Sequence, residues 1–116
     1  MDKIIRRKTI KKKHKITLKR WQEYSLSEQL DNIGSEISRA RYWEESLDYI
    51  NREKALERSL ELLDLTVADK RWYLKLKELT RLRDIIGDLM AKTKIYNISL
   101  KDLEKFCLGF AIKSRE

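Results

Sequence analysis

Eight apolar residues between Leu26 and Ile50 recur every three or four positions: Leu26, Leu30, Ile33, Ile37, Ala40, Trp43, Leu47 and Ile50. That spacing puts them along one face of a 3.6-residue helix. Ser25 and Glu28 stand just ahead with the spacing of a capping box, in which the serine oxygen takes the Glu28 backbone N–H and the carboxylate reaches back to the cap. A helix is therefore expected from about Leu26 to Leu47, and its apolar face demands partners from the rest of the chain.

The later segments supply them. Asp48 and Asn51 favour a turn across Ser46 to Arg52. A second helix follows with Leu56, Leu60, Leu63 and Val67 inward, and Glu53, Glu57 and Glu61 on another face can pair with Lys54 and Arg58. Asp69 is the expected cap of a third helix running from Lys70 to about Ala91, with Leu79, Leu82, Ile86 and Leu89 as its seam and Trp72 and Leu76 extending it. After a loop, Ser99 opens a short fourth helix carrying Leu103, Phe106, Cys107 and Phe110, where Gly109 would permit a close helix contact. With no proline and three glycines the chain lacks the residues that sheets and tight turns use. The fold expected is all-α: a four-helix up-down-up-down bundle over residues 24–116, preceded by an extended basic arm over residues 1–23 that is flexible when free.

Charge is unevenly placed. Residues 1–20 hold ten Lys and Arg against Asp2 alone, whereas residues 21–116 hold seventeen against eighteen acids. Arg6, Arg7, Lys8, Lys11, Lys12, Lys13, Lys15, Lys19 and Arg20 can neutralise phosphates and release counterions, so nucleic acid, RNA or DNA, is the expected partner of the arm. A second cluster, Lys70, Arg71, Lys75, Lys77, Arg81 and Arg83, has two readings: more phosphate contacts, or ion pairs with the acidic stretch from Glu44 to Asp69. Each tryptophan sits beside or near an arginine: Arg20–Trp21, Arg41–Tyr42–Trp43 and Arg71–Trp72–Tyr73. Core packing suits Trp43 and Trp72, while Trp21, next to the arm, is the best candidate for stacking on a base.

Catalysis has little to draw on. The one histidine, His14, lies among lysines without a carboxylate to orient it, and Cys107 reads as a small buried hydrophobe. There is no Gly-rich phosphate loop and no paired E-x-x-H motif, so no cofactor, metal or enzymatic activity is expected. No apolar run approaches the ~20 residues of a membrane span, and the N-terminus lacks the apolar core of a secretory signal; a cytoplasmic protein is expected.

The run Tyr24 to Ala40, YSLSEQLDNIGSEISRA, resembles the first conserved helix of the four-helix-bundle proteins that include the accessory variability determinants (Avd) of diversity-generating retroelements. Tyr24, Ser25 and Leu26 match the family's opening, and Ser27 replaces its glycine. The resemblance implies a small basic bundle that assembles into a ring and binds a reverse transcriptase and its RNA. Two functions follow as expectations: a noncatalytic nucleic-acid-binding accessory subunit, or a helical protein-interaction module such as an adaptor or antitoxin-like partner. Leu74, Leu76, Leu79, Ile85, Met90, Phe106 and Phe110 exceed what one inward seam requires, which favours a homo-oligomer or a place in a larger complex.

Overall fold

The structure, a computed structural model, describes residues 16–115. All regular structure among them is helical: α1 (Leu18–Trp21), α2 (Leu26–Glu45), α3 (Tyr49–Val67), a 3-10 segment (Lys70–Lys75), α4 (Leu76–Ala91) and α5 (Leu100–Lys113). The helix starts follow local side-chain chemistry. Ser25 Oγ accepts the Glu28 N–H at 3.1 Å and Glu28 Oε1 accepts the Ser25 N–H at 2.9 Å, closing both halves of the capping box. Thr17, Asp48 and Ser99 accept backbone N–H groups three residues on and so cap α1, α3 and α5.

The spine is α2. Leu26, Leu30, Ile33, Ile37 and Ala40 are buried between α3, which presents Ala55, Leu56 and Leu63, and α5, which presents Leu100, Leu103, Cys107 and Ala111. α4 lies against α3 through Leu79, Leu82, Ile85 and Ile86, and approaches α5 less closely. The packed pairs run antiparallel, as their cross-links show. Arg58 pairs with Glu36 and Arg52 with Glu44 across α2 and α3; Arg41 with Glu104 and Arg115 with Asp31 tie α2 to the start and end of α5. Arg83 with Asp64 joins α4 to α3.

Several expectations change. The apolar stripe stops at the half-buried Trp43: Leu47 and Ile50 are each 73% exposed, because α2 ends at Glu45 and Leu47 turns the chain in the left-handed region at φ 60°. Arg58 reaches across to Glu36 instead of pairing along its own helix. The third helix is broken, since residues 70–75 wind as a 3-10 turn with Trp72 out of helical geometry, and α4 begins only at Leu76. The basic arm ends before residue 23, because α1 folds onto the core and buries Trp21 to 2% exposure. The glycine at a close helix contact is Gly34, whose missing Cβ would stand 3.4 Å from Cys107 Cβ; at Gly109 an added Cβ meets nothing within 4 Å.

Those two glycines make opposite demands. In thermal unfolding, Gly34→Leu should destabilise the fold by about 1–3 kcal/mol through overpacking against α5. Gly109→Ala should instead stabilise it by about 0.5–1 kcal/mol, as an ordinary helix-interior replacement.

Candidate nucleic-acid interface

At the end of the molecule where α2 begins and α3 finishes, a buried polar network joins four segments. The Asp69 carboxylate is buried and accepts from Arg71 Nη2 at 2.6 Å and Nε at 3.0 Å, and from Gln29 Nε2 at 3.3 Å. Gln29 also donates to the Trp21 carbonyl at 3.0 Å and accepts from Trp72 Nε1 at 3.1 Å. Trp21 Nε1 donates to Thr66 Oγ1 at 2.9 Å, and Arg71 Nη2 reaches the Tyr24 carbonyl at 2.9 Å. Among the described residues no buried side-chain nitrogen or oxygen is left without a partner. A buried charge is tolerated on that condition.

The network has a geometric result. It fastens Trp21, at the close of α1, to the end of α3 and, through Gln29, to the turn after it. Arg115 closes the same end by donating to Ser27 Oγ at 3.0 Å and to Asp31 at 3.3 Å.

The expected contact residues divide accordingly. Arg6, Arg7, Lys8, Lys11, Lys12, Lys13 and Lys15 lie outside the described residues. Lys19 and Arg20 are exposed on α1, while Lys75, Lys77 and Arg81, with Lys70, are exposed on the 3-10 turn and α4. None of these six meets a carboxylate within 4.0 Å among the described residues. Three others have partners within the fold. Trp21 cannot stack on a base, because its ring is in the core and its N–H is bound to Thr66. Arg71 is committed to Asp69 and Tyr24, with its guanidinium 4.4 Å from the centre of the Trp72 ring. Arg83 is paired with Asp64 at 2.7 Å, an exposed and therefore weak pair. Both arginines are ion-paired in the structure.

Sequence reasoning passed over the aromatic that this end displays, Tyr73, which is 66% exposed between Lys70 and Lys75. The Arg-Trp-Tyr run contained the signal. Which ring turns outward is decided by Gln29, which holds Trp72 inward. Of the expected surplus apolar residues, Leu79 and Ile85 are buried, while Leu74, Leu76 and Phe106 stay exposed.

Burial, with the nearby Glu104 charge second, pushes the Cys107 thiol up to about 12, so it is a poor source of thiolate. Among the described residues no group of His, Cys, Asp and Glu is placed to hold a metal ion.

Hydrogen bonds from the Arg71 side chain hold the Asp69 carboxyl below the ordinary aspartate value of 3.8. A depressed value in the folded state means that this interaction stabilises the fold above the unfolded value and is lost as pH falls through the folded one. Acid titration of unfolding should therefore show stability declining below about pH 3.8. Asp69→Asn should weaken that decline and cost about 1–3 kcal/mol at neutral pH, read by denaturant melts at a series of pH values.

Comparison of the chain with protein-family models, with curated proteins and with solved structures returned no match, so the functional reading rests on this geometry and charge.

Proposed function

We propose that the protein is a noncatalytic nucleic-acid-binding accessory subunit of a larger cytoplasmic nucleoprotein complex, with RNA favoured over DNA. The observation that carries this reading is the set of exposed cations Lys19, Arg20, Lys70, Lys75, Lys77 and Arg81, none facing a carboxylate among the described residues, in a chain whose residues 1–15 add eight more Lys and Arg. In this reading these cations contact phosphates, with Tyr73 as an exposed ring between Lys70 and Lys75. α2 to α5 then act as an up-down-up-down four-helix bundle that carries this basic tract. Its opening motif supports a role beside a reverse transcriptase, as the resemblance to Avd proteins implies.

A protein-interaction role is favoured by the opposite end. There Tyr42, Leu47, Tyr49, Ile50, Ile95 and Tyr96 are all exposed, and the left-handed residues Leu47, Lys92, Lys94 and Asn97 turn the chain. Such an apolar end suits contact with another protein. α2 separates the two ends by about 30 Å, so one subunit can engage nucleic acid and a protein at once. Among the described residues no helix is long and apolar enough to cross a membrane.

Salt titration tests the nucleic-acid role. Full-length protein should lose about 10³-fold or more in RNA affinity between 50 and 200 mM salt, as for a protein making six or more phosphate contacts. A variant lacking residues 1–15, and separately Lys70→Gln with Lys75→Gln and Lys77→Gln, should bind more weakly and with a shallower salt slope. Equal affinity for all three proteins removes the basic tract from the mechanism. Light scattering of nuclease-treated protein at high salt should give a mass above that of one chain; a monomeric mass across micromolar concentrations rules out stable self-assembly.

A further inference from the structure

The groove between α4 and α5 has a composition that the basic tract alone does not explain. It encloses about 390 Å³ and is lined by Lys75, Glu78, Phe106, Gly109, Phe110 and Lys113. Phe106 is 39% exposed, and its ring meets Phe110 edge-on, with centroids 6.1 Å apart and planes at 76°, so the pair does not stack face to face. Lys75 and Lys113 come from opposite walls. Gly109 has no conformational reason to be glycine, since its φ is not positive, and no packing reason, since an added Cβ would meet nothing within 4 Å. Inside a helix it is a weaker former than alanine. Its one structural effect is to keep the groove open.

We propose that this groove takes one unstacked base of a single-stranded nucleic acid, with its ring against Phe106 and its flanking phosphates on Lys75 and Lys113. The proposal rests on the nucleic-acid function above and narrows it to single strands. Glu78 supplies an acceptor for base N–H groups and repels phosphate, which directs the base inward and the backbone toward the lysines. Lys75 belongs to the exposed basic turn, so a strand held along Lys70 to Lys77 runs directly onto the groove. An acidic peptide is the competing occupant. It would satisfy the lysines but would set a carboxylate against Glu78 and has no use for a flat ring.

The test is fluorescence anisotropy with the full chain and four variants, using a single-stranded RNA, the corresponding duplex, and the same strand carrying abasic positions. Electrostatics alone favours the duplex, whose charge density is higher. The groove should reverse this, with the intact strand bound about tenfold more tightly than the abasic strand, the worth of one base on an aromatic ring. Gly109→Leu, which fills the groove, and Phe106→Leu, which keeps apolar bulk but removes the ring, should each bring intact and abasic strands to within about twofold of each other. Duplex affinity should stay unchanged in both variants and neither should lower the melting temperature, Gly109→Leu raising it slightly if anything, whereas Lys75→Gln and Lys113→Gln should weaken the intact strand most. Equal binding of intact and abasic strands by the unaltered protein, or a preference that survives both groove variants, overturns the groove and leaves the phosphate tract standing. Capture of an acidic peptide that Gly109→Leu abolishes while RNA binding is unchanged also overturns it. Failure of all three nucleic acids to bind at low salt overturns the broader function as well.

Discussion

A single carboxylate, that of Asp69, sets the conditions for one whole end of this protein. Burying a charge is unfavourable unless hydrogen bonds and a counter-charge are supplied, and removing the partner of a buried ion costs about 3–5 kcal/mol. Here the partners come from the spine helix (Gln29) and from the next turn (Arg71), and through Gln29 the bonding continues to Trp21 and Trp72. The engagement of Arg71 follows from satisfying that group, and the same Gln29 also holds Trp21 and Trp72. The outward display of Tyr73 and Leu74 goes with the kink at Trp72, since a regular helix through Lys70 would have turned a different set of residues to solvent.

What could be read from the sequence was what depends on neighbours. Ser25 with Glu28 and Ser99 with Asp102 are local signals, and the starts of α2 and α5 fall where they point. The inward seams of α2 and α4 follow from helical periodicity, and most of their residues are buried. Charge partners were not legible in the same way. Arg58 sits one turn from its own helix's glutamates but pairs with Glu36, twenty-two positions back, because the α2–α3 approach brings that buried acid within reach. Trp21 looked like part of the arm because its partner, Thr66, is 45 residues away. Gly34 and Gly109 could be placed on their helices but not told apart, since the difference lies in what stands opposite.

The candidate interface was half visible for the same reason. Its lysines advertise themselves by charge, and Lys75, Lys77 and Arg81 stayed exposed. Its aromatics do less: helical periodicity marked Phe106 and Phe110 as surplus apolar surface for a contact, and only the looser approach of α4 to α5 shows a groove beside them. A seam that is complete on one helix can still border an open space when its neighbour stands off.

The cross-links at the basic end also fix when that end can come into existence. Contacts such as Arg52 with Glu44, eight positions apart, close short loops, whereas Gln29 with Asp69 spans 40 positions and Arg115 with Ser27 spans 88. Closing longer loops costs more chain entropy and slows the step that depends on it. The α2–α3 contacts can thus close before the end at which Trp21, Gln29, Thr66 and Asp69 meet. Until residues 66–72 have been made and closed onto Trp21 and Gln29, the positive charges stand on separate local runs. Their placement relative to one another is a property of the folded chain.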